Sequence, residues 1–189
     1  MNTKEIIGRV IEELRVTAER FDQDEIDSFI LEINRAKRVF VCGAGRSLLV
    51  IRAFAMRLMH IGYTVYVVGE TVTPAAKEGD LLIVMSGSGE TGSLVKMAEK
   101  ACTLGLSVAL ITTNDKSSIA KLARCVVNVS TSTSKLSAAG QQNQSIQPGG
   151  NTFEQSALLL LDSIIIELIS SKSLSENNSC LMSKHANLE

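Results

Sequence analysis

The 189-residue sequence predicts an α/β fold, a three-layer α/β/α sandwich built on a five-stranded parallel sheet with helices at its N-terminus. Two features carry that reading. Short unbroken apolar runs alternate with segments of helical periodicity, and strands that are apolar on both faces belong in a parallel sheet covered on two sides. Right-handed crossovers then distribute the helices over the two faces.

Residues 2–36 read as helix: Ile6, Ile7, Val10, Leu14 and Ala18 recur at helical spacing, as do Ile26, Phe29, Ile30 and Ile33. A polar break separates the two pieces, and Asp22 or Asp24 offers a cap for the second. Arg38-Val39-Phe40-Val41-Cys42 is the first strand, ending in Gly43-Ala44-Gly45, and a helix follows from Ser47 to about His60. Residues 63–68 form the second strand. Residues 81–85 form the third, followed by a Gly/Ser loop and a helix over 91–104. Residues 107–111 form the fourth, with a helix over 117–122, and residues 125–129 the fifth. Residues 130–151 make a Ser/Gln/Gly-rich loop whose length marks it as functional or mobile. A strongly apolar helix over 153–171 packs on the core or on a second subunit. Residues 1–171 thus form one domain, and 172–189 a polar tail that frays.

Composition narrows the function classes. Hydrophobic residues make up 45% of the chain and its formal charge is -1, so a real core is expected and no electrostatic footprint for nucleic acid or an anionic membrane exists. Any anion must be held by local geometry. Of the four cysteines, Cys42, Cys102, Cys125 and Cys180, none stands at C-x-x-C spacing and three sit in apolar runs. Buried thiols in a reducing cytosol are the reading that fits. No signal-peptide core and no bilayer-length apolar stretch occurs, so the expected location is the cytoplasm.

Ligands of an open parallel sheet bind beyond the carboxyl ends of its strands. After the third strand comes Ser86-Gly87-Ser88-Gly89-Glu90-Thr91, leading into a helix. Glycines let backbone N–H groups close around an anion, the helix N-terminus favours negative charge, and the hydroxyls of Ser86, Ser88 and Thr91 add donors without bulk. That combination suits a phosphate monoester; the competing reading is a Ser-Gly turn with Thr91 or Glu90 as helix cap. The lysine of a nucleotide-hydrolysing P-loop is missing. Gly43-Ala44-Gly45 lacks the third glycine of a dinucleotide fingerprint, Leu48 standing there, and Arg46 and Ser47 are placed to contact a sugar or its phosphate. Asn151 and Glu154 have capping-box spacing, so capping and catalysis both stay open for Glu154. His60 ends the helix that begins near Ser47, about 20 Å away along the axis. It serves either as a C-terminal cap or in a neighbouring subunit's site.

These residues resemble a known family. Gly43-Ala44-Gly45-Arg46-Ser47, Ala53-Phe54-Ala55-Met56-Arg57-Leu58-Met59-His60, Val67-Val68-Gly69-Glu70-Thr71, Glu78-Gly79-Asp80-Leu81-Leu82, the Ser86–Thr91 motif and Phe153-Glu154-Gln155-Ser156-Ala157 look like the 6-phospho-3-hexuloisomerases. These are a single-domain branch of the SIS (sugar isomerase) superfamily. The resemblance implies a flavodoxin-like SIS domain, a homotetramer with sites between subunits, and no metal or organic cofactor. The implied reaction interconverts 3-hexulose 6-phosphate and fructose 6-phosphate, the second step of formaldehyde fixation through ribulose monophosphate. By the same resemblance Ser86, Ser88 and Thr91 hold the phosphate and Ser47 lies beside the sugar; Gly45, Arg46 and Gly87 complete the expected substrate-binding set. Glu154 is then the base and His60 an acid/base partner from another subunit. The alternatives are another SIS aldose–ketose isomerase, such as an arabinose-5-phosphate isomerase, and a non-catalytic sugar-phosphate-binding regulatory module.

Overall fold

The computed structural model describes residues 1–131 and 145–171. The 130–151 loop expected from sequence falls largely on residues outside that set, as do the 172–189 tail, Cys180 and His185. Two helices come first, α1 (Thr3–Ala18) and α2 (Gln23–Arg35), each with a side-chain cap. Asn2 and Glu5 form a capping box on α1, and Asp22 accepts from the Asp24 N–H at the start of α2. Then follow β1 (Val39–Gly43), α3 (Arg46–His60), β2 (Val65–Val67), β3 (Leu81–Met85), α4 (Gly92–Thr103), β4 (Ser107–Thr112), β5 (Cys125–Asn128) and α5 (Asn151–Ser171).

All five strands pair in parallel, in the order β2-β1-β3-β4-β5. The order reverses between β1 and β3, so a crevice opens at the carboxyl ends of those two strands. Side chains alternate across the sheet, as strand geometry requires. Val39, Val41, Leu81, Ile83, Met85, Ala109 and Ile111 face one core with Phe29, Ile33, Ile51, Phe54, Leu161 and Ile164 from α2, α3 and α5. Phe40, Cys42, Leu82, Val84, Val108 and Leu110 face the other, under Leu94 and Ala98 of α4. Each such side chain, taken fully from water, contributes roughly 1.5–3 kcal/mol.

Ion pairs fix the ends of the sheet. Buried Asp80 accepts two hydrogen bonds from Arg38, through Nε at 3.0 Å and through Nη2, tying the start of β1 to that of β3. At the β5 edge, Glu25 of α2 accepts the Asn128 N–H at 2.7 Å, and Glu32 pairs with Arg124 at 3.0 Å. The exposed strand edge is thereby covered.

Three expectations need correction. No helix forms over 117–122; residues 114–123 run in turns. The N–H groups that would begin such a helix are used elsewhere, Ser118 on the Glu90 carboxylate at 2.7 Å and Ile119 on the Gly89 carbonyl at 3.3 Å. The side chain of Ile119 still fills the core. The second strand is shorter than expected, three residues at the sheet edge before the chain turns at Gly69, whose φ is 95°. Cys102 is exposed rather than buried, because it lies off the Leu94–Ala98–Ala101 stripe of α4. Cys42 and Cys125 are buried, and burial pushes each thiol up to about 12. No helix among the described residues is long and apolar enough to cross a membrane.

Candidate active site

Three chain segments meet at the crevice between β1 and β3. Gly43, the last residue of β1, is paired with Met85, the last of β3. A Cβ on Gly43 would lie 3.1 Å from the Leu48 nitrogen and 3.2 Å from the Met85 carbonyl, so a side chain there would push the first turn of α3 or the end of β3 away by a few tenths of an ångström. Gly45 has φ 58° and ψ -134°, open to glycine alone, and swings the chain directly into α3. Arg46 and Ser47 therefore stand on the first turn of that helix, Arg46 half exposed and Ser47 buried. Leu48 packs against the core.

The second segment is the loop between β3 and α4. Ser86 is buried, its N–H bonded to the Ile111 carbonyl at 3.0 Å and its Oγ accepting the Gly89 N–H at 3.1 Å. Gly89 has φ 63° and closes the turn against Ser117. Ser88 Oγ accepts the Glu90 N–H at 3.2 Å. Thr91 is the N-cap of α4, yet its hydroxyl makes no capping bond, and Glu90 turns away to Ser118. The capping alternative is therefore not realised. Among the described residues the N–H groups of Gly87, Ser88 and Thr91 meet no acceptor. Three N–H groups and the Thr91 hydroxyl are thus left without acceptors among the described residues at the positive end of α4, an arrangement that favours an anion.

The third segment is the start of α5. Phe153 is buried against the loop, 3.4 Å from where a Cβ on Gly87 would be. Glu154 then faces α3: its Oε2 lies 2.8 Å from Arg46 Nε. The contact is a side-on ion pair, since no donor is aligned on that buried oxygen. Asn151 does not cap the helix as its spacing suggested. It lies within α5, and its Oδ1 accepts from Arg46 Nη1. Burial pushes the Glu154 carboxyl above its ordinary 4.5, and the Arg46 guanidinium only partly pulls it back.

Gly45, Arg46, Ser47, Ser86, Gly87, Ser88, Thr91 and Glu154 are thus gathered from three loops at one edge of the sheet. His60 is not among them. It is buried at the far end of α3, about 20 Å along the axis from Arg46 at 1.5 Å per residue.

Sequence reasoning missed several supports. Thr112, Thr113 and Asn114 bond the backbone of the cradle at Gly87 and Ser88. They lie at the carboxyl end of β4, so the strand-end rule applied to Gly loops would have found them. Glu13 of α1 was also missed. Its carboxylate collects Ser145 Oγ (2.7 Å), Ile146 N–H (2.8 Å) and Gln147 Nε2 (3.1 Å), with Thr152 Oγ1 at 3.5 Å, gripping the entry to α5. No local pattern announces a contact across more than 130 residues.

Fold and site together define an α/β domain that gathers backbone and hydroxyl donors, with one carboxylate, at the switch point of its sheet. The chain belongs to the SIS domain family, whose model matches residues 32–144. Helix α5 and Glu154 lie beyond that match. A 3-hexulose-6-phosphate isomerase of Bacillus subtilis (strain 168) is 40% identical over 189 residues, covering all of both chains. A 3-hexulose-6-phosphate isomerase of Methylomonas aminofaciens is 39% identical, over 97% of this chain and 96% of its own. A crystal structure from Methanococcus jannaschii, with an inferred molecular function of 3-hexulose-6-phosphate isomerase, superposes with a TM-score of 0.82 at 33% identity. It covers 98% of this chain and 99% of its own.

Proposed function

We propose that this chain is an isomerase interconverting 3-hexulose 6-phosphate and fructose 6-phosphate in the ribulose monophosphate route of formaldehyde fixation. The observation that carries the reading is a Gly/Ser loop with acceptor-free N–H groups packed against the start of α5, where burial raises the Glu154 carboxyl and so suits it to proton transfer. Similarity to 3-hexulose-6-phosphate isomerases along the whole chain supplies the substrate.

Ser86, Gly87, Ser88 and Thr91 hold the phosphate, which fixes the sugar away from the reacting carbons. Gly45, Arg46 and Ser47 line the sugar. Glu154 removes the proton on carbon 2 of the 3-keto sugar, giving a 2,3-enediol(ate). It returns that proton at carbon 3 while the hydroxyl proton moves from oxygen 2 to oxygen 3, leaving the carbonyl at carbon 2. Arg46 and His60 of a neighbouring subunit stabilise the developing oxyanion.

A homotetramer with sites completed between subunits is part of the proposal. Ile6, Ile7 and Ile11 on α1, Leu49, Met56 and Met59 on α3, and Leu159 and Ile166 on α5 are exposed in the single chain. Apolar faces of this extent suit burial between subunits. His60 follows Met56 and Met59 on α3, and this reading gives it the acid/base role in a neighbour's site. The charge of a sugar phosphate and the unpaired buried thiols fit a cytoplasmic setting.

The test is direct assay with 3-hexulose 6-phosphate and with arabinose 5-phosphate. Fructose 6-phosphate should form from the first, with no turnover of the second. Binding without turnover of either would overturn the enzyme reading. Glu154→Gln should still bind phosphate but turn over at least about a hundredfold more slowly, and near-normal turnover would refute the base assignment.

A further inference from the structure

The carbonyl of Gly87, in the middle of the cradle, accepts three hydrogen bonds from two consecutive residues at the end of β4. Thr113 gives its N–H at 3.0 Å and its Oγ1 at 2.7 Å, and Thr112 gives Oγ1 at 3.1 Å. A carbonyl oxygen has two lone pairs, so this acceptor is saturated and its direction is pinned. The peptide bond is trans. In a planar trans peptide the N–H of the next residue points opposite to the C=O. Pinning the Gly87 carbonyl toward β4 therefore pins the Ser88 N–H away from it, toward the side without an acceptor among the described residues.

The next peptide is held as well, by Asn114 Nδ2 on the Ser88 carbonyl at 3.3 Å, but its Gly89 N–H is already bonded to Ser86. The Ser88 donor is therefore the one that this arrangement leaves presented. Hydrogen bonds to a carbonyl also polarise the N–H of the same peptide unit, which strengthens it as a donor.

We propose that Thr113, with Thr112, is a positioning residue for anion binding: it orients and strengthens the Ser88 N–H toward the substrate's phosphate without touching the substrate. This rests on the cradle being the phosphate site. Thr113→Val keeps the branched shape and the backbone N–H and removes the shortest of the three bonds. The hexulose 6-phosphate KM and the inhibition constant of inorganic phosphate should rise together, by about fivefold to tenfold, with kcat within twofold. Thr113→Ser should restore both. A purely structural role would lower thermal stability without this split or this rescue. In the wild-type protein, phosphate titration should move the Ser88 amide proton downfield more than its loop neighbours, a measurement that needs no variant. If phosphate competes with substrate in the wild type yet Thr113→Val binds it equally, or the Ser88 amide stays still, the inference fails while the cradle stands. If phosphate does not compete in the wild type, the cradle reading fails first and takes the inference with it.

Discussion

Arg46 Nε lies 2.8 Å from Glu154 Oε2, joining the first turn of α3 to the first turn of α5. Burial raises the Glu154 carboxyl above its ordinary value and the guanidinium opposes that rise. As the proposed base, Glu154 must be ionised to work, so the acid limb of kcat should fall above the ordinary carboxylate value of 4.5. Arg46→Met removes the opposing charge and should move that limb to higher pH. A kcat–pH profile that stays put, or moves to lower pH, would show that Arg46 does not govern the base.

The same raised carboxyl bears on stability. A folded value above the unfolded one gives a stabilising contribution that is full below the unfolded value and is lost as pH rises through the folded one. At neutral pH the ionised Glu154 is therefore a cost to the fold. Glu154→Gln should melt at the same or a higher temperature than wild type at pH 7, the two converging in acid. Arg46 is 54% exposed, so losing its partner costs little. A clearly lower melting temperature for the variant at pH 7 would contradict this account.

Glu13 titrates in the opposite sense. Burial alone would raise its carboxyl, but hydrogen bonds from Ser145, Ile146, Gln147 and Thr152 outweigh that and hold it below 4.5. A depressed carboxyl contributes stability above its unfolded value and loses it as pH falls through the folded one. Glu13→Gln should destabilise the protein by about 1–3 kcal/mol at pH 7, with the gap closing in acid. Urea unfolding at the two pH values reads it directly. An equal deficit at both would mean that shape, not charge, holds the entry to α5.

Two glycines separate strain from propensity. A Cβ on Gly89 would lie 2.1 Å from Ser117 Oγ, at a residue whose φ is already 63°. Gly89→Ala should cost about 2–4 kcal/mol and weaken phosphate binding. Gly8 lies exposed within α1 with nothing within 4 Å of its Cβ position. Gly8→Ala should stabilise by about 0.5–1 kcal/mol. Thermal melts of the two variants should move in opposite directions.

What was legible in the sequence follows the physics of each element. Strands β1, β3 and β4 are buried on both faces, so unbroken apolar runs mark them almost to the residue. Edge strand β2 is only half-buried and carries a weaker pattern. The 114–123 segment has apolar residues at helical spacing, but its backbone donors serve the cradle, a tertiary demand invisible to periodicity. The tight turn after β3 was legible because glycines and serines at a strand end mark one, and the structure shows that Thr91 does not use its hydroxyl as a cap there. The apolar stripe of α1 was legible as a helix face, yet Ile6, Ile7 and Ile11 remain exposed on the single chain.

Those exposed faces lead to a prediction about assembly. His60 and Glu154 cannot meet within one chain if α3 separates His60 from the cradle by about 20 Å, so their cooperation requires two subunits. His60→Gln and Glu154→Gln should each be nearly inactive as pure assemblies. When the two are co-expressed, some sites pair an intact Glu154 with an intact His60 from the neighbour, and activity should exceed the mean of the two parents. If His60 acts only within its own fold, each chain stays as defective as before and the mixture gives that mean. Separating mixed from pure assemblies by differential tags, then assaying each, distinguishes the outcomes.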